Sequence, residues 1–200
     1  MRGVLALVGL GFLILIIGGL LIHSRSTVPV DTDGVGTTTS ETMTTSSFLL
    51  SSPEFAPNES IPSRYTCDGN QVNPPLSING VPNGAQSLAL LLNDPDVPKA
   101  LKPDGNFDHW VLFNISPTTT EITTGMKVGV LGNNGAGKPE YRAPCPPSQY
   151  EPSEHRYFFR IFALDIELPL KEGASKADVE KAMEGHVIGQ AELIGRYKKK

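Results

Sequence analysis

The chain has 200 residues, a formal net charge of −4 and two cysteines. That length suffices for one ordinary domain with extensions, and an acidic balance without a basic stripe argues against nucleic acid as the main partner. Lys198, Lys199 and Lys200 end the chain as a short basic tail, read as solvated rather than lipid-binding.

From Val4 to Ile22 the sequence VLALVGLGFLILIIGGLLI carries no charged residue. As a helix this run reaches about 28 Å, close to the hydrocarbon thickness of a bilayer. A cleaved signal peptide is the competing reading, but its apolar core is usually shorter and ends at an A-x-A-like site. Here HSRSTVPV follows. Residues 1–25 are therefore expected to form an uncleaved single-pass membrane anchor. Arg2 precedes the span and His23 and Arg25 follow it, a small difference that favours a cytoplasmic N-terminus and an extracytoplasmic remainder. Residues 26–46, rich in Thr, Ser and Gly, cannot bury enough surface to offset the entropy of ordering them. They read as a flexible linker, which leaves 47–197 as the folded domain.

Within that domain QSLALLLND, HWVLFNIS and RYFFRIFALD are short apolar runs bounded by turn residues, and they read as strands. CDGNQVNPP, NGVPNG and LKPDGN supply the turns between them, at spacings that suit an all-β sandwich better than alternating βαβ units. In SKADVEKAMEGHVIGQAELIGRY, Val179, Met183 and Val187 are spaced by four, Ile188, Leu193 and Ile194 follow, and Ser175 is available as an N-cap. One or two helices, separated or bent at Gly185, are expected to close the chain. Cys67 and Cys145 permit one disulfide in an extracytoplasmic domain; the alternative is two buried small side chains packed as hydrophobes.

LGNNGAGKP places Gly132, Gly137 and Lys138 at the spacing of a phosphate-binding loop, after an apolar KVGVL. The next residue should bear a hydroxyl for Mg²⁺ and open a helix, yet it is Pro139, followed by Pro144, Pro146, Pro147 and Pro152. No nucleotide is expected there. Chemistry is better sought in polar residues at strand ends: Asp94 and Asp96 in NDPDVP, His109 in FDHWVLFN, and His155, Arg156 and Tyr157 in SEHRYFF. Each alone reads as a structural turn or cap residue. If the strands are neighbours, they converge on one rim beside the Pro-rich loop.

Together FLLSSPEF, IPSRYTCDG, NPPL, GVPNGAQSLALLLNDPDVP, FDHWVLFNI, GKPEYRAPCPPS, HRYFFRIFALD and GHVIGQAELIGRY resemble, in order and spacing, the phosphatidylethanolamine-binding protein family. The likeness is to its bacterial and archaeal Raf-kinase-inhibitor-like branch and covers about Phe48 to Tyr197. It implies a mainly β fold, a two-sheet antiparallel Greek-key sandwich with short helices and a C-terminal helix, here preceded by one transmembrane helix. It also implies a small pocket for phosphate, acetate or a phospholipid headgroup. By position, Asp94 matches the pocket Asp of the D-P-D-x-P motif, His109 the His of the next strand, His155 and Tyr157 the H-x-Y pair, and Cys145, Pro146 and Pro147 the loop at the pocket edge. Two departures stand out: Ala143 replaces the usual Gly before PCPP, and Ile78 replaces a common Trp.

Imidazole N–H groups and a Tyr hydroxyl can donate to an anion, while Asp94 would repel one unless it is paired or protonated. The functional expectation is non-enzymatic binding of small anionic, phosphate-bearing ligands, selective for protonated forms, by a membrane-anchored domain. Inhibition of a protein partner such as a kinase or protease is the alternative. No Ser or Cys nucleophile stands in a recognisable activated setting, so no enzyme is expected, and no cofactor or metal is called for.

Overall fold

The computed structural model describes residues 47–200. The anchor expected over Val4–Ile22 and the linker over 26–46 lie outside the described residues. Among the described residues no helix is long and apolar enough to cross a membrane.

Two antiparallel sheets carry the fold. Strands β1 (Leu49–Ser51), β2 (Leu76–Asn79) and β5 (Glu121–Ile122) form one, in the order β1-β2-β5. Strands β3 (Ser87–Asp94), β4 (Phe107–Ile115), β6 (Val130–Gly132), β7 (Glu154–Leu164) and β8 (Val187–Lys198) form the other, in the order β6-β4-β3-β7-β8. The three apolar runs read as strands are β3, β4 and β7, and they are the three central strands of the larger sheet.

Between the sheets lies the main core, where Leu50, Leu76, Ile78 and Ile122 meet Leu88, Leu90, Leu92, Leu112, Phe159 and Ile161. Ile78, standing where the family often has Trp, is fully buried there. On the other face of the large sheet Ala89, Leu91, Val111 and Phe113 pack against Val179 and Met183 of helix α1 (Lys176–Met183). Strand β3 is thus covered on both faces, which is why every one of its residues is buried and why its sequence runs apolar without alternation.

Helix α1 begins as expected. The Ser175 hydroxyl accepts from the Asp178 N–H, and the Asp178 carboxylate accepts from the Ser175 N–H in return, a reciprocal capping box. The helix does not close the chain, however. Gly185, at φ +80°, turns the backbone out of the helix, and Val187 to Lys198 form β8 instead. Val187 and Ile188, expected on a helical face, are 43% and 40% exposed. Antiparallel pairing with β7 along nearly the whole strand, from Glu154↔Lys198 to Leu164↔Val187, outweighs the local spacing of four. It buries Leu193 and Tyr197 inward and sets Arg160 opposite Glu192, with Nε to Oε2 at 2.7 Å. Lys198 therefore belongs to a strand, and the Lys200 N–H donates to the Asp68 carboxylate.

Cys67 and Cys145 are disulfide-bonded across 78 residues of chain, with Cα atoms 5.3 Å apart. The Cys67 N–H also donates to the Pro144 carbonyl, so the Pro-rich loop is fastened to the segment after the 3-10 turn at Ser63–Tyr65. The alternative of two packed thiols does not hold.

Candidate functional site

The end of β3, the start of β4, the start of β7 and the Pro-rich loop converge on a cavity of about 190 Å³. Asp94, His109, His155, Cys145, Pro146 and Pro147 all line it. Val97 and Leu101, Phe107, and Arg142 and Ala143 complete the wall. Tyr157 does not line it; fully buried, it lies under the His109 ring, with the two rings edge to face at 5.2 Å.

A β-bulge aims His109. In the β3–β4 ladder Leu92 pairs with Trp110 and Asn93 with Asp108, so His109 is the extra, unpaired residue. Two consecutive side chains, His109 and Trp110, consequently turn to the same side of the sheet, as a bulge allows. His109 reaches the cavity, while Trp110 stays in the core between the sheets.

The polar groups are arranged around Asp94, which is 3% exposed. Its Oδ1 accepts from the Asp96 N–H at 2.8 Å, the cap expected of an Asp in a turn. Its Oδ2 accepts from His155 Nδ1–H at 2.7 Å and lies 4.0 Å from His109 Nε2. His109 donates its Nδ1–H to the Arg142 carbonyl at 2.7 Å, and the Arg142 N–H returns a bond to the His109 carbonyl. That pair fixes the tautomer: with Nδ1 protonated, a neutral His109 presents the Nε2 lone pair. Burial holds its pKa below the ordinary value, opposed by the Arg142 carbonyl and the Asp94 charge. His155 Nε2 and the Tyr157 hydroxyl are buried without a hydrogen-bond partner among the described residues. Burial raises the Tyr157 pKa, so the phenol stays protonated.

Asp96 belongs to a different task. It takes two guanidinium hydrogen bonds and a backbone N–H from Arg156, which lower its pKa. This pair braces β7 against the loop after β3. Arg142, missed in sequence reading, lines the cavity and has no side-chain hydrogen-bond or ion-pair partner among the described residues. Its position in EYRAPCPPS, beside the matched loop, was the available signal. Ala143 is buried in that loop and is not among the described non-glycine residues at positive φ, which are Asn58, Gln71 and Asn114. A residue with a Cβ is therefore accommodated where the family has Gly.

LGNNGAGKP is a supporting turn. Every backbone N–H from Asn133 to Lys138 is occupied: Asn133 donates to Ala174, Asn134 to Lys138, Gly135 to Asp108, Gly137 to Asn134, and Ala136 and Lys138 to the Asn134 side chain. No amide is left to cradle a phosphate. Gly135 lies close against the Phe107 ring, where a Cβ would come within 2.8 Å of it, so the stretch packs against a cavity-lining residue.

The family model described as phosphatidylethanolamine-binding protein matches residues 51–198. The chain belongs to the phosphatidylethanolamine-binding protein family. It is 48% identical over 151 residues to a UPF0098 protein of Chlamydia pneumoniae, covering 75% of this chain and 98% of the relative. A UPF0098 protein of Methanothermobacter thermautotrophicus is 50% identical over 146 residues, with 70% and 91% covered. Among solved structures, a phosphatidylethanolamine-binding protein homolog of Chlamydia trachomatis superposes with a TM-score of 0.73 at 41% identity, covering 77% of this chain and 99% of the other. YbcL of E. coli, described as a member of the mammalian family, gives 0.68 at 28% identity, with 76% and 99% covered. These relatives agree with the bacterial and archaeal branch that the motifs indicated.

Proposed function

We propose that the domain is a non-catalytic binding module for small oxoanions that carry a proton, above all the singly protonated phosphate monoester of a free headgroup such as phosphoethanolamine, and that Val4–Ile22 anchors it with the domain outside the cytoplasm. The observation that carries this reading is the His109 tautomer. With Nδ1–H engaged by Arg142 and burial keeping the ring neutral, Nε2 offers a lone pair beside the Asp94 carboxylate. A fully deprotonated anion would meet two acceptors there. A protonated oxygen donates to one of them, and the remaining oxygens can accept from Arg142.

The cavity, about 190 Å³, suits a headgroup rather than acyl chains. A few charge-assisted bonds, less the cost of association, put affinity roughly in the micromolar to millimolar range. Cys145, held in the disulfide, has no thiolate to act as a nucleophile, which favours binding over covalent catalysis.

Calorimetric titration of the soluble domain with phosphoethanolamine tests the reading. Replacing both His109 and His155 by Ala should weaken binding about tenfold or more. Unchanged affinity in a folded double variant would remove the pocket assignment, and regulation of a kinase or protease partner would take its place.

A further inference from the structure

A second cavity, about 440 Å³, opens on the other side of the same loop and within the size range of small-molecule sites. Trp110, Leu112, Val128 and Leu131 line it with Tyr141. Trp110 and Tyr141 meet edge to face, with ring centroids 5.5 Å apart. Consecutive residues of the β4 bulge thus serve two cavities, His109 one and Trp110 the other, and Tyr141 and Arg142 divide in the same way.

The polar groups inside this second cavity are already spent. The Tyr141 hydroxyl donates to the Tyr65 carbonyl. Asn73, also in the wall, donates to Pro74 and Thr123 and accepts from the Gly125 N–H. Such an interior rewards an apolar, flat group and has little to offer a polar one. The mouth is different. Glu140, Glu172 and Lys127 are exposed there, and none of the three has a side-chain hydrogen-bond or ion-pair partner among the described residues. Two carboxylates against one ammonium leave the mouth net negative.

We propose that this cavity is a second binding site, for an aromatic ammonium ligand whose ring enters the Trp110–Tyr141 wall and whose cationic end is held by Glu140 and Glu172. The site is independent of the anion site, since it uses none of Asp94, His109 or His155.

Trp110 is the chain's one tryptophan, so its fluorescence reports on this cavity directly. The soluble domain is titrated with phenethylamine, with phenylacetate as the charge-reversed control, and the phenethylamine titration is repeated in excess inorganic phosphate. The expected result is a saturable change with phenethylamine that phosphate does not compete away, and a Kd at least fivefold weaker for phenylacetate. Changing both exposed carboxylates, Glu140→Gln with Glu172→Gln, should weaken phenethylamine at least fivefold while phosphoethanolamine affinity stays the same. A response that does not saturate, equal binding of phenylacetate, competition by phosphate, or unaltered affinity in the double variant would each overturn the proposal.

Discussion

His155 donates through Nδ1 to Asp94 Oδ2 at 2.7 Å, with both side chains almost wholly shielded from solvent. This bond ties the start of β7 to the end of β3, while the other Asp94 oxygen caps the turn through the Asp96 N–H. Asp94→Ala removes both acceptors and leaves a buried imidazole N–H unpaired. Loss of about 2–4 kcal/mol in urea unfolding is expected. Asp94→Asn retains one carbonyl acceptor and should lose less; equal stability of the Ala variant and the parent would contradict the role.

The pH dependence of stability should carry the mark of His109. Burial sets its folded pKa below the ordinary value, so at intermediate pH the unfolded chain binds this proton more readily. The contribution is fully present above the unfolded value of about 6.5 and is lost as pH falls from there toward the folded pKa. Urea unfolding across pH 5–8 should give a shallower slope for His109→Gln than for the parent. Identical slopes would show that the imidazole is not held neutral.

The disulfide closes a sequence separation of 78 residues and fixes one wall of the cavity around Asp94. Reduction, or Cys67→Ser with Cys145→Ser, should cost about 2–4 kcal/mol of stability. It should also weaken phosphoethanolamine binding, because Pro146 and Pro147 are then held by fewer constraints. A lower melting temperature with unaltered affinity would confine the bridge to a stabilising role.

Lys138→Ala should leave ligand binding unchanged, and the domain should bind no ATP at micromolar concentration, because each amide from Asn133 to Lys138 already has an acceptor. Saturable ATP binding that disappears in the variant would refute this account of the glycine-rich turn.

What was legible in the sequence follows from how local its cause is. Strands β3, β4 and β7 show as apolar runs because they occupy the centre of the larger sheet, β3 buried on both faces and β7 burying alternate residues, and Ser175 shows as a cap because capping is decided within one turn. Strand β8 was hidden. Gly189 and Gly195 interrupt its alternation, and they are glycines because Pro82 and Ile61 approach them closely, where a Cβ would lie 2.6 Å from either side chain. Those contacts are long-range, so the local spacing of four misleads. In the site, polar residues at strand ends were visible as chemical anomalies, and His155 and Asp94 do meet. The bulge that aims His109 is a matter of register between two strands, which no single stretch of sequence records. The same holds for the burial of Tyr157 beneath the cavity instead of in its wall.

The most direct test of the central claim compares phosphoethanolamine with sulfate by calorimetry between pH 8 and pH 6. A phosphate monoester gains a proton over this range, its second pKa lying near 6, whereas sulfate stays unprotonated. A site whose floor is the Asp94 carboxylate and the His109 lone pair should bind phosphoethanolamine progressively tighter as pH falls and should bind sulfate weakly throughout. Tighter binding of phosphoethanolamine at pH 8 than at pH 6, or equal tightening for sulfate, would contradict it, since the ligand would then not be the partner that brings the proton.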